Sequence, residues 1–280
     1  MEDLFHVFPH IAEQIFQNLD NKSLTNCREV SQSWKQLIDD RKLPWTQIIQ
    51  IPTVLKDGKS YLHLAAETGQ TVMFKAIFEN EDNKNPMSNS SLQFNWDLRR
   101  YVGSWGKTPL HLSSEQGHFE IVKLIAQSSI IFGTDLNEKG GTINGTAFLM
   151  ACEKGQAKIA EWLIQKSTEF NINLNAKDEN GMTAFHLACL KNQTKVAEVL
   201  IKNSVEFNIN LNTMDKNGLT ALHIICIKGH TNTAKLLIQQ SAECNIDLNA
   251  MTKRGLTAFH LACLGKDPSR YGWHPHTDFC

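Results

Sequence analysis

The chain has 280 residues, which is enough for two compact domains or for one elongated repeat array. It carries 28 basic and 29 acidic side chains and a formal net charge of −1, so no overall positive field attracts it to nucleic acid or to an anionic membrane. With 41% hydrophobic residues, 7 prolines and 16 glycines, the composition excludes a largely disordered chain.

The sequence shows no targeting or membrane-spanning segment. Its N-terminus lacks the basic and apolar regions of a secretory signal peptide, and no stretch reaches about 18 uninterrupted apolar residues. We therefore expect a soluble protein of the cytoplasm, the nucleus or both. Four of the seven cysteines recur every 37 residues, which is typical of a repeat position and predicts reduced thiols. They are Cys152, Cys189, Cys226 and Cys263.

Residues 1–50 predict a short module of three helices. Its apolar residues recur three and four positions apart, and Pro9 suits the first turn of the first helix. A segment of this length buries so much apolar surface poorly by itself, so we expect it to pack against another surface.

This segment resembles the F-box, whose signature includes Ile-Phe-x-x-Leu and Leu-x-x-Cys-x-x-Val-Ser-x-x-Trp; the match covers residues 5–49. Pro9 sits one residue late, His10 occupies the usual acidic position, and Pro44 is inserted before Trp45. The resemblance implies docking on the Skp-type adaptor of a Skp/cullin/F-box ubiquitin ligase. The implied adaptor-binding residues are Phe8, Pro9, Ile11, Ile15, Phe16, Leu24, Cys27, Val30, Trp34, Leu43 and Trp45.

Residues 51–267 predict a repeated unit of turn, helix, turn and helix. In each copy a tight turn precedes a residue that can cap a short apolar helix, and a second, antiparallel helix follows. The last three copies align without gaps at a spacing of 37 residues, and the sixth is incomplete. The six copies are recognised at Gly58, Gly106, Asn144, Asp178, Asp215 and Thr252.

The second copy, with Gly-Lys-Thr-Pro-Leu-His-Leu at 106–112 followed by Gly117 and His118, resembles the consensus of the ankyrin repeat. The resemblance implies an all-α protein, in which the three-helix F-box module is followed by an ankyrin-repeat solenoid that binds a protein target. The period of 37 residues exceeds the family's roughly 33. Alanine replaces the proline of the motif in four copies, at Ala147, Ala184, Ala221 and Ala258.

Two segments depart from the repeat. Residues 80–102 form an Asn/Ser-rich insertion, which we expect to be either functional or mobile. Residues 268–280 have no helical periodicity and predict an irregular tail, so the sixth repeat lacks its second helix. An unusual cap made by the tail and a truncated product both stay open as explanations.

The sequence predicts no metal, no cofactor and no catalytic activity. Five histidines share one repeat position, where the family uses the imidazole to bond backbone groups, and no Cys-x-x-Cys pair is present. Neither a phosphate-binding glycine loop nor a Gly-x-Ser-x-Gly motif occurs in a supporting context. The five histidines are His63, His111, His186, His223 and His260.

The residue after the turn glycine is predicted to bind the target. It changes along the array from Lys59 and Lys107 to Met182, Leu219 and Leu256. Because hairpins and inner helices line the concave face of such an array, we predict that the last three side chains form an exposed apolar stripe there. Trp105 and a border of cations complete this predicted site. The cations are Lys191, Lys216, Lys228, Lys253 and Arg254. For Leu190, Ile227 and Leu264, exposure and packing between helices stay equally open.

Taken together, the sequence predicts a non-catalytic substrate-recognition subunit of a ubiquitin ligase, with an adaptor and cullin on one side and a protein target on the other. The alternative is an ankyrin-repeat scaffold whose N-terminal helices only cap the array. A third hypothesis is an effector or paralogue that uses its F-box to recruit a host ligase. The identity of the target and the oligomeric state are left open by the sequence.

Overall fold

The computed structural model describes residues 61–71, 74, 106–132 and 134–263. The F-box-like module with its predicted adaptor-binding residues, Lys59, the 80–102 insertion, Trp105, Leu264 and the 268–280 tail lie outside this part of the chain. The chain divides into two compact units, residues 1–96 and 97–280. In the first unit, helix α1 (Tyr61–Thr68) occupies the place of an inner repeat helix, and its Ala65 and Ala66 are fully buried.

The described part of the second unit consists of two rows of short helices. The inner helices are α2 (Pro109–Gln116), α4 (Ala147–Glu153), α6 (Ala184–Leu190), α8 (Ala221–Lys228) and α10 (Ala258–Cys263). The outer helices are α3 (Phe119–Phe132), α5 (Ala157–Gln165), α7 (Thr194–Lys202) and α9 (Thr231–Gln240). Each inner helix packs on the next inner helix and on its own outer helix, apart from α10, which closes the described row. The predicted all-α repeat array is confirmed.

Threonine and histidine together start the inner helices. The backbone of Thr220 is extended, and its N–H donates to Nδ1 of His223, three residues along, over 3.1 Å. Since Nδ1 accepts a hydrogen bond there, Nε2 carries the ring proton and donates to the carbonyl of Leu256 in the next repeat, 3.2 Å away. In the same way, Nε2 of His186 donates to the carbonyl of Leu219 over 3.1 Å. The predicted structural role of these histidines is confirmed.

Two of the recurring cysteines are packed inside the array. Cys152 and Cys189 are fully buried, and desolvation raises the pKa of both thiols. None of the described cysteines is in a disulfide. Within the same ranges, no group of three or more His, Cys, Asp or Glu side chains is placed to hold a metal ion. No helix given above has the length and apolar composition that a bilayer crossing requires.

The long connection before each hairpin carries a ladder of asparagines. Nδ2 of Asn212 donates to the carbonyl of Asn245 over 2.7 Å, and its Oδ1 accepts from the N–H of Asp247 over 2.8 Å. Asn175 makes the same two bonds one repeat earlier, and Asn137 makes them one repeat before that. The loops that the 37-residue period lengthens therefore bind each repeat to its neighbour.

We expect Asn212→Ala to lower the free energy of unfolding by about 1–2 kcal/mol, because two inter-repeat hydrogen bonds are lost. The matched control is Asn249→Ala at the same position of the sixth repeat, beyond which the described chain provides no further loop to bond. Urea denaturation followed by circular dichroism measures both variants. Equal losses for the two asparagines would contradict the role of the ladder.

Candidate protein-binding site

The predicted apolar stripe is wrong at two of its three positions. Met182 is 2% exposed and Leu219 is 8% exposed, so neither side chain is available to a partner. The reason is that each hairpin is covered by the next one. The N–H of Lys216 donates to the carbonyl of Asn180 over 3.0 Å, and a Cβ added to Gly181 would lie 3.0 Å from that same nitrogen. The side chain that follows the turn glycine is therefore covered once a further repeat stacks on its hairpin.

Leu256, at the same repeat position as Met182 and Leu219, is half-buried. Its hairpin is the last in the described residues, so no further described hairpin lies against it. Leu190 and Ile227 are also half-buried. Their burial is thus intermediate between full exposure and full packing between helices, the two alternatives that the sequence left open.

The predicted cations are exposed, but they do not all carry free charge. Lys191, Lys216, Lys228, Lys253 and Arg254 are all exposed. Nζ of Lys191 lies 3.3 Å from Oε1 of Glu153, so an acid of the preceding repeat partly neutralises it. The cations most relevant to a partner are therefore those of the turns, at positions 216, 253 and 254.

Two exposed methionines were missed by the sequence reasoning. Met214 is 42% exposed and Met251 is 59% exposed, and both directly precede the first residue of a turn. The carboxylate of Asp215 points inward, where Oδ1 accepts from the N–H groups of Asn217 and Leu219. Because successive side chains of an extended segment alternate in direction, the residue before Asp215 points outward. The 37-residue spacing of Met214 and Met251 was a signal that could have identified them.

These methionines have lysines around them, and we call the group the hairpin surface. It consists of Lys177, Met214, Lys216, Met251, Lys253 and Arg254. Lys177 occupies the position of the two methionines one repeat earlier, and its Nζ donates to the carbonyl of Met214 at 3.5 Å. Nζ of Lys253 donates to the carbonyl of Lys216. The ammonium groups are thus tied to the neighbouring hairpin.

The stem of Lys253 is fixed by a glycine. Gly218 has a φ of +78°, in the left-handed region that glycine adopts at little cost, and a Cβ there would approach Cγ of Lys253 to 2.7 Å. The missing side chain leaves room for the lysine to lie flat across the turn. A lysine held in this way loses less conformational entropy when it binds a partner.

Most carboxyl groups of the three turns are buried. Asp178 and Asp215 are buried, and desolvation raises the pKa of both carboxyls against the lowering effect of their backbone hydrogen bonds. Of residues 177–180, 214–217 and 251–254, all of which are described, Glu179 is the one exposed acid. The accessible charge of the hairpin surface is therefore positive, although the whole chain is close to neutral.

Comparison with known families agrees with the fold. A model described as ankyrin repeats, in three copies, matches residues 35–140, 125–213 and 205–269. A model of the F-box domain matches residues 5–46. No match to a curated protein was found. The repeat matches together span well over half of the chain.

Proposed function

The chain belongs to the ankyrin-repeat family and carries an N-terminal F-box, and from this premise we propose that it is the substrate-recognition subunit of a Skp/cullin/F-box ubiquitin ligase. The observation that carries the proposal is the presence of both modules in one chain. F-boxes and ankyrin repeats are typically interaction modules without catalytic activity, so the chain joins two proteins and leaves ubiquitin transfer to other subunits.

In this proposal the F-box docks on a Skp-type adaptor, which connects it to the cullin, and the repeats hold the target. Stacked repeats suit this task because each contacts its neighbours, so that the array presents a continuous surface of fixed geometry. The hydrogen bonds of His186, His223 and Asn212 across repeat boundaries support such rigidity. The ligase would act in the cytoplasm, the nucleus or both.

We expect Ile15→Ser/Phe16→Ser to abolish binding to a Skp-type adaptor, because each lost apolar anchor costs about 2–4 kcal/mol at an interface. The measurement is a pull-down of purified adaptor with the full chain, with thermal unfolding to show that the repeats stay folded. Val205→Ser/Ile238→Ser is the control, since it removes two exposed apolar side chains of the array. If the unmutated chain fails to bind the adaptor, the ligase proposal is wrong.

A scaffold without ligase function is the second candidate, and one observation favours it. The ankyrin match begins at residue 35, inside the segment that matches the F-box, so the two matches overlap at residues 35–46. In a scaffold, the N-terminal helices would only cover the first repeat. The same adaptor pull-down separates the two candidates, because a capping module has no affinity for the adaptor.

A further inference from the structure

We infer that the hairpin surface, formed by Lys177, Met214, Lys216, Met251, Lys253 and Arg254, binds an acidic segment of the target protein that carries apolar side chains. This inference rests on the proposed function, since it assigns a place and a chemistry to the target. It also moves the target site away from the buried side chains of Met182 and Leu219.

The first argument is the exposure of the two methionines. Met214 and Met251 occupy the same position of adjacent hairpins, and both are exposed although the hairpins around them are packed and hydrogen-bonded. Methionine is flexible and polarizable, so it adapts to apolar side chains of different shapes. Two such residues one repeat apart provide apolar contacts to a segment that crosses from one hairpin to the next.

The second argument is the charge next to them. Lys216 follows Met214 by two positions, and Lys253 and Arg254 follow Met251 closely, so that both methionines have a cation beside them in sequence. Glu179 is the exposed acid of the three turns, and it lies at the N-terminal end of the hairpin surface. Complementary charge selects an acidic partner and accelerates its association.

The third argument is that two cations of the hairpin surface are already ordered. Lys177 donates to a carbonyl of the following hairpin, and Lys253 donates to a carbonyl of the preceding one. The stem of Lys253 also lies across Gly218. An ammonium has three donors, so one bond to the backbone leaves two for carboxylates of a partner. The partner therefore meets a positive surface that requires little rearrangement.

The test begins with a random-peptide display library that is panned against the full chain. We expect the enriched peptides to be acidic and to contain apolar residues. Labelled synthetic copies are then titrated against the chain by fluorescence anisotropy, and their affinity should fall with added salt because exposed charges contribute to it. A library that yields no binder, or binders without acidic residues, overturns the inference.

Two pairs of variants locate the binding surface. Met214→Ser/Met251→Ser and Lys216→Glu/Lys253→Glu should each weaken the selected peptides by about tenfold or more. The matched controls change exposed residues of similar character elsewhere in the array and should leave affinity unchanged. They are Val205→Ser/Ile238→Ser for the methionines and Lys195→Glu/Lys235→Glu for the lysines.

Failure of this inference can be told apart from failure of the proposed function. Thermal unfolding and adaptor pull-down are run on every variant, and neither should change in the two hairpin-surface variants. If the chain binds the adaptor but its peptides bind Met214→Ser/Met251→Ser and Lys216→Glu/Lys253→Glu as tightly as the unmutated chain, the hairpin surface is not the target site. If adaptor binding itself is absent, the ligase proposal fails whatever the peptides do.

Discussion

Phe185→Ala will lower the free energy of unfolding by about 3–5 kcal/mol, whereas Phe259→Ala will change it by less than about 0.5 kcal/mol. The two phenylalanines occupy the same position in the inner helices α6 and α10, within the identical sequence Thr-Ala-Phe-His-Leu-Ala-Cys. Phe185 is 1% exposed and Phe259 is 74% exposed. Removing the buried ring loses the free energy of transferring it out of water and leaves a cavity. Removing the exposed ring has neither effect.

Urea denaturation followed by circular dichroism measures the free energy of unfolding of both variants. In both, the substituted residue is alanine, which favours the helix. The local sequence is the same, so the comparison isolates the effect of the following repeat. A large loss for Phe259→Ala would mean that a surface outside the described residues covers α10. A small loss for Phe185→Ala would contradict the packing of the inner helices.

Acidification will destabilise the array through His111 and His186. Burial lowers the pKa of each imidazole to about 4, although hydrogen bonds to the carbonyls of Gly145 and Leu219 act in the opposite direction. In the unfolded chain the pKa is near 6.5. Between these two pKa values the imidazole is protonated in the unfolded chain and neutral in the folded chain. Stability that is present at pH 7 is therefore lost as the pH falls from about 6.5 to about 4. The expected loss is about 3 kcal/mol for each histidine.

The measurement is the free energy of unfolding from pH 7 to pH 4 for the unmutated chain and for His186→Gln. The variant should be less stable at pH 7, because the bond to Leu219 is altered, but its loss on acidification should be smaller by about 3 kcal/mol. Asp178 and Asp215 have raised pKa values and oppose the trend, and they do so equally in both proteins. His260→Gln, at the exposed copy of the same position, is the control and should leave the pH profile unchanged. An equally steep profile for His186→Gln would refute the assignment.

Much of the repeat could be derived from local sequence. The cap of an inner helix such as α8 needs only Thr220 and His223, three residues apart, and the turn needs Asp215 and Gly218 at their fixed spacing. These interactions lie within one hairpin and the first turn of one helix. For this reason the helical repeat and the structural role of His111, His186 and His223 were predicted correctly for the described part of the chain.

The candidate site was predicted only in part. The cations Lys216, Lys253 and Arg254 are exposed as expected, because lysine and arginine rarely pack inside a protein. The apolar positions were misjudged, since Met182 follows a turn glycine and is covered by the next hairpin, whereas Met214 precedes Asp215 and stays exposed. Composition alone does not distinguish a methionine that the next hairpin covers from one that it leaves in solvent.

The sequence by itself determined the kind of unit and the way most copies begin their inner helix, because hydrogen bonds between residues three or four positions apart fix these features. Only the tertiary structure decided which copies of a given residue are buried. Phe185 and Phe259 have the same neighbours along the chain and opposite environments, as do His186 and His260. The difference arises because burial in a repeat array depends on the face that the next repeat covers, and the local sequence of one repeat does not encode whether a further repeat is stacked on it.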